Sequence, residues 1–202
     1  GLNSMTALPS GTLWNSFLAK LDTNGNCSWI KTAGTDGTEV HSLAVAVAPD
    51  GSAAIGGWVM NPGVVAFGAH DVDSTIESRM FIAAYDVLGN CLNAMNSTST
   101  SIGPASLRAL DFDADGNLYF AGINMGAISM GGVELPDDLS ALDEVNIGKI
   151  APDGSGLWMK QLPMVEINQQ MSLAVDNAGN AFISSLFEYD SAPDGANFGE
   201  FT

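Results

Sequence analysis

The stretch 17–31, FLAKLDTNGNCSWIK, returns at 81–95 as FIAAYDVLGNCLNAM and at 146–160 as NIGKIAPDGSGLWMK. The copies begin 64 and 65 residues apart (17 to 81, then 81 to 146), and Trp29 and Lys31 of the first have counterparts in Trp158 and Lys160 of the third. Self-similarity at a fixed long period is the mark of one supersecondary unit stacked on itself, so the unit has to be read before any motif.

Within each copy apolar residues alternate with polar ones, the period of a half-buried β-strand and not of a helix. Strand one is Phe17 to Leu21, Phe81 to Tyr85 and Ile147 to Ile150. The turns that follow, Asp22-Thr23-Asn24-Gly25-Asn26, Asp86-Val87-Leu88-Gly89-Asn90 and Pro152-Asp153-Gly154, place glycine where a tight hairpin needs positive φ. Strand two carries Trp29 and Trp158. Strand three carries Val45 and Val47, Leu110 and Phe112, and Leu173 and Val175. Turns at Asp50-Gly51, Asp115-Gly116-Asn117 and Ala178-Gly179-Asn180 lead into strand four, with Ala53 and Ile55, Leu118 and Phe120, and Ala181 and Ile183.

Four short antiparallel strands per copy read as a propeller blade. The expected fold is all-β: one repeat domain over 1–202, a β-propeller-like array of about three blades at 15–60, 79–125 and 145–189, forming part of a larger propeller. Segments containing Ala66-Phe67-Gly68, Met130-Gly131-Gly132 and Asn197-Phe198-Gly199 are expected to cross from the outer edge of one blade to the inner edge of the next. The chain ends fall in loop-like sequence, which reads as a processed or cropped piece that starts after any export signal.

Charge narrows the choice of partner. The chain has 23 acidic and 6 basic residues, a formal net charge of −17, while 46% of it is hydrophobic. Phosphate binding depends on Lys and Arg displacing counterions, so nucleic acid is excluded as a partner, and an anionic membrane surface is disfavoured for the same reason. No apolar run is long enough for a transmembrane helix. A protein with a basic surface, a neutral glycan or a cation fits this balance. Cys27 and Cys91 hold the same position in adjacent copies, too far apart on stacked sheets for a disulfide, and are expected as half-buried free thiols.

The sharpest local motif is Asp111-Phe112-Asp113-Ala114-Asp115-Gly116-Asn117, whose Asp111, Asp113, Asp115 and Asn117 have the spacing that wraps oxygen ligands around Ca²⁺. The distal glutamate of an EF-hand is missing, and an ordinary Asp-Gly hairpin is the other reading. Glu134, Asp137, Asp138, Asp143 and Glu144 form an acidic stretch read as a solvated loop. His41 and His70 are the only histidines and read as surface residues, with a proton-shuttle or metal pair as the alternative. Trp14 and Trp58 lie outside the repeat position and are the tryptophans free to stack on a sugar, whereas Trp29 and Trp158 read as blade packing. No H-E-x-x-H, G-x-S-x-G, C-x-x-C or Walker loop occurs. Asp73-Ser74-Thr75 and Asp190-Ser191-Ala192 are similar to a short O-glycosylation signal and fall in expected loops.

The repeat resembles the bacterial SBBP-type β-propeller repeat of secreted and surface proteins in Bacteroidetes. Phe17, Ala19, Lys20, Asp22, Gly25, Asn26, Trp29 and Lys31 carry it in the first copy, and Phe81, Ala83, Tyr85, Asp86, Gly89 and Asn90 in the second. Its hairpin half matches at Asp113, Gly116, Asn117, Tyr119 and Gly122, and again at Ala174, Val175, Asp176, Gly179 and Asn180. The departures are Asn93 for Trp, Ala84 for Lys and Asn146 for the leading Phe.

The resemblance implies a secreted or cell-surface scaffold and no particular activity. The expected function is a non-catalytic extracellular propeller module for adhesion or for binding a protein or neutral glycan. Its alternatives are a secreted carbohydrate-active enzyme with acids drawn from several blades, and a subunit of an oligomeric ring or filament that pairs through exposed blade edges.

Overall fold

The computed structural model describes residues 14–75, 78–98, 103–136, 144–162 and 170–185, and every regular element among them is a β-strand. In chain order the strands are β1 (Ser16–Leu21), β2 (Cys27–Ala33), β3 (Glu39–Val47), β4 (Ala53–Met60), β5 (Gly63–Phe67), β6 (His70–Ser74), β7 (Arg79–Tyr85) and β8 (Cys91–Asn96). They continue as β9 (Ala105–Phe112), β10 (Leu118–Asn124), β11 (Ile128–Met130), β12 (Val133–Leu135), β13 (Glu144–Ile150), β14 (Gly156–Leu162), β15 (Met171–Val175) and β16 (Ala181–Ser185). All pairings are antiparallel.

The sheets are out of phase with the repeat. Strands one to four of a copy do not share a sheet. Instead β3-β4-β7-β8 form one four-stranded sheet and β9-β10-β13-β14 the next, so each joins strands three and four of one copy to strands one and two of the following copy. The blade boundaries expected at 15–60, 79–125 and 145–189 are therefore displaced by half a unit. Among the described residues two two-stranded half-sheets flank these, β1-β2 before the first full sheet and β15-β16 after the second.

The expected crossing segments are also reassigned. Both described ones join the second and third strands of a single sheet and fold into hairpins of their own, β5-β6 and β11-β12. The third, Asn197-Phe198-Gly199, lies outside the described residues.

Stacking explains the residue pattern. On β7, Met80 and Ile82 belong to a core shared with Leu107, Leu110, Leu118 and Phe120 of the second full sheet. Phe81, Ala83 and Tyr85, on the other face of β7, pack with Leu18 and Ala33 of the first half-sheet. A strand covered on both faces reads as a nearly continuous apolar run, and β10 is buried at every position. Each fully buried Phe of this kind contributes roughly 1.5–3 kcal/mol. Ile123, Val145 and Leu162 make a smaller core with Met171 and Ile183 of the last half-sheet.

Where the phenylalanine of strand one becomes Asn146, the buried amide donates through Nδ2 to Asn124 Oδ1 at 2.5 Å, while its own Oδ1 meets no partner among the described residues. Gly57 and Gly122 hold equivalent positions at irregularities in β3-β4 and β9-β10, and an added Cβ would run into the backbone oxygen of His41 or Ser106. Among the described residues Cys27 and Cys91 are not bonded to each other; Cys91 is half-buried as expected, whereas Cys27 is exposed.

Candidate functional site

Two families of turn close the hairpins at one end of the sheets. In the first, Asp22, Asp86, Asp113 and Asp176 each cap their own turn. For Asp86, Oδ1 accepts from Leu88 N at 2.9 Å and Asn90 N at 2.8 Å, while Oδ2 accepts from Asn90 Nδ2 at 2.8 Å. In the second, Ala48-Pro49-Asp50-Gly51-Ser52 and Ala151-Pro152-Asp153-Gly154-Ser155, the aspartate accepts from the serine two residues on, through both N–H and hydroxyl. These bonds favour the ionised carboxylate. The Asn26 side chain holds Asp22 below the usual carboxylate range, Asn90 does the same for Asp86 and Asn180 for Asp176, and Ser52 and Ser155 act likewise on Asp50 and Asp153.

At this turn-bearing end, each junction between layers is built from equivalent positions filled differently. Between the first half-sheet and the first full sheet, Trp29 lies over the β7-β8 turn, with Nε1 donating to Val87 O at 3.1 Å. A Cβ on Gly89 would approach the indole to 2.8 Å. On the face of the second full sheet that meets the last half-sheet, Lys149 Nζ sits 2.9 Å from Asp113 Oδ2 and 4.8 Å from the Tyr119 ring centroid, all within that one sheet. The Tyr119 hydroxyl donates to Gly179 O at 3.0 Å, and Trp158 meets Tyr119 edge-on at 5.8 Å. Burial opposes the Asp113 charge, but Asn117 and Lys149 outweigh it and lower its pKa; Tyr119 and Asp113 together raise that of Lys149.

Between the two full sheets the same positions are small or uncharged. Ala84 stands where the other copies have Lys20 and Lys149, Asn93 where they have Trp29 and Trp158, and Met95 where they have Lys31 and Lys160. The position of Asp113 is Ala48. A cleft of about 680 Å³ opens there. Ile82, Met95, Phe112, Leu118 and Ile150 give it an apolar floor, and among the described residues its charged lining is Asp50, Asp115 and Asp153. Each of Asp50 and Asp153 uses one carboxylate oxygen on its serine, which leaves the other for a ligand.

The residues of the Asp111–Asn117 motif have separate roles. Asp111 Oδ1 accepts from Phe112 N at 2.9 Å, and Oδ2 reaches the last half-sheet to accept from Val175 N at 2.7 Å. Asp113 is buried and bonded to Asp115 N, to Asn117 and to Lys149. Asp115 faces the inter-sheet cleft, and Asn117 serves as a donor to Asp113. Among the described residues no group of three or more His, Cys, Asp or Glu is placed to hold a metal ion.

His41 stacks on Trp58, with ring centroids 3.7 Å apart, and lies 5.9 Å from Trp14. One face of Trp58 is thereby covered, while Trp14 stays exposed. His70 opens β6, in the β5-β6 hairpin. Asp73 and Ser74 end that strand, where a loop was expected, and Asp190-Ser191-Ala192 lies outside the described residues. Of the acidic stretch, Glu134 is exposed on β12 and Glu144 opens β13; Asp137, Asp138 and Asp143 lie outside the described residues.

Sequence reading noted Ala84 and Asn93 as departures from the repeat but not the cleft they open, because that meaning depends on which sheet faces which. No protein-family model matches the chain, and no curated protein matches it.

Proposed function

We propose that the chain is a propeller-type, non-catalytic scaffold module of a secreted or cell-surface protein, and that the cleft between its two full sheets receives a basic segment of a protein partner. The resemblance to the SBBP-type repeat supports the location and the scaffold role. The observation that carries the binding reading is the change of Lys, Trp and Lys in the outer copies to Ala84, Asn93 and Met95 in the middle one. It leaves three acidic turn residues around an apolar floor, with no basic residue in the lining among the described residues. A lysine or arginine side chain matches this site, its aliphatic stem covering the floor and its charge meeting the rim.

The test is fluorescence polarisation with a short labelled peptide of alternating lysine and leucine. The variant Ala84→Lys/Asn93→Trp/Met95→Lys restores the pattern of the outer copies. It is expected to keep the melting temperature and weaken binding by about tenfold or more, and binding by the native chain should fall with added salt. Equal affinity in native chain and variant, or equal binding of a glutamate-leucine peptide, would refute the reading.

A further inference from the structure

A second cavity lies at the end of the sheets opposite the turns. The end of β4 and the residue before β7 meet the start of β9 and the end of β10 there, around a volume of about 340 Å³. This is the lower end of the roughly 300–1,000 Å³ usual for small-molecule sites, room for one ring and its substituents. We infer that the cavity binds a uronic acid residue of an acidic polysaccharide, with Trp58 as the stacking surface and Arg108 as the group that meets the carboxylate.

Trp58 lines the cavity, and its indole is held from one side by His41, with ring centroids 3.7 Å and ring planes 13° apart. A ring already fixed in place loses little freedom when a sugar stacks on it. Arg108 is the charged residue of the lining among the described residues. Its planar fork of N–H donors matches a carboxylate in a way that a point charge does not. Ser106 also lines the cavity, is 6% exposed, and its hydroxyl has no hydrogen-bond partner among the described residues. Buried hydroxyls are normally bonded, and a ring hydroxyl of the ligand would supply that bond. Ser78 brings a second hydroxyl to the same lining.

Comparison between copies shows that this combination occurs at one place. His41 pairs with Trp58 across β3-β4, and the equivalent pair across β9-β10 is Ser106 with Ile123. The first full sheet thus stacks ring on ring where the second has two smaller side chains. Arg108 stands where the first copy has Leu43 and the third Met171. Arg108 and Leu43 are each the residue skipped by the ladder at a β-bulge. A bulge re-aims the side chain it carries, which frees Arg108 from the alternation of β9.

The net charge of −17 does not decide the matter at this site. The acidic turns lie a strand length away, roughly 20 Å, beyond the distance of about 8 Å at which physiological salt screens exposed charges. Glu39, opposite Met60 on β3, is outside the lining and bonded to His41 Nε2 at 3.3 Å. The inference does not depend on the peptide reading of the cleft at the turn-bearing end.

The test is titration of the chain with galacturonate and with glucuronate, followed by NMR at the indole N–H of Trp58. At least one of the two is expected to give a saturable shift. The neutral methyl ester of that acid should bind about tenfold more weakly or worse, since it loses a charge-assisted bond; this comparison needs no variant. Arg108→Gln should weaken binding of the acid by a similar factor and leave that of the ester unchanged. Lys160→Gln removes the same unit of charge at an exposed position on β14 and should change neither. No saturable shift with either acid, equal affinity for acid and ester, equal loss in both variants, or inorganic phosphate binding as tightly as the sugar acid would each overturn the proposal.

Discussion

Replacing Lys149 and Asp113 singly and together tests the ion pair that ties the β9-β10 turn to β13 within the second full sheet. Asp113 is 5% exposed and Lys149 18%, so neither charge has ready access to water once its partner is gone. Lys149→Ala leaves Asp113 still bonded to Asp115 N and to Asn117; losing one charge-assisted bond costs about 1.5–3 kcal/mol. Asp113→Ala leaves a partly buried ammonium with only the Tyr119 ring and hydroxyl beside it and uncaps the turn, at a cost of about 3–5 kcal/mol. The double variant recreates the Ala48 and Ala84 arrangement of the first full sheet. Its cost is therefore expected to fall short of the sum by about 1.5–3 kcal/mol. Urea unfolding followed by tryptophan fluorescence reads these differences. Additivity to within about 0.5 kcal/mol would refute a coupled pair.

The sign of the pH dependence is fixed as well. The lowered pKa of Asp113 means that its contribution is complete above the ordinary carboxylate value near 3.9 and is lost as pH falls through the folded value. The raised pKa of Lys149 means that its contribution is complete below about 10.4 and is lost as pH rises through the folded value. The gap between native chain and double variant should be widest and flat between these limits.

Gly89→Ala and Gly25→Ala impose the same left-handed strain, φ +81° and +82°, but only Gly89 has an indole at 2.8 Å. Gly25→Ala should cost about 1–2 kcal/mol and Gly89→Ala at least about 1 kcal/mol more; equal melting temperatures would contradict the Trp29 contact. Burial pushes the Cys91 thiol up to about 11, whereas Cys27 is exposed, so at pH 8 a thiol reagent should label Cys27 several-fold faster, as read by peptide mass mapping. Because Asp111 and Asp113 are taken up by Val175 N and Lys149, millimolar Ca²⁺ is expected to leave the melting temperature where EDTA leaves it; a rise of several degrees would show tight binding to the folded state.

The strands and turns were legible because both signals are local: a short apolar run such as Phe81–Tyr85 bounded by turn residues, and Asp-x-x-Gly-Asn placing a positive-φ glycine in a hairpin. The phase of the sheets was not. Each copy contains two such hairpins, and the pairing that joins them, Ala53–Met60 with Arg79–Tyr85, spans the β5-β6 insertion and leaves no mark in either strand. Ala84 and Asn93 stood out as sequence and Met95 did not, but all three line the cleft only because they face the Ala151–Ser155 turn of the next sheet. The Asp111–Asn117 spacing was open to two readings, a ligand set or an ordinary Asp-Gly hairpin turn; nothing local disclosed that Lys149 and Val175 N would meet its carboxylates.

The inter-sheet cleft depends on sheets that straddle the repeat boundary. Nuclear Overhauser contacts between backbone Hα protons across β-strand pairs test this directly. The structure predicts contacts between residues of Ala53–Met60 and Arg79–Tyr85, such as Ile55 with Ala83 and neighbouring pairs. Contacts joining Cys27–Ala33 to Glu39–Val47 instead would place all four strands of a copy in one sheet and contradict it.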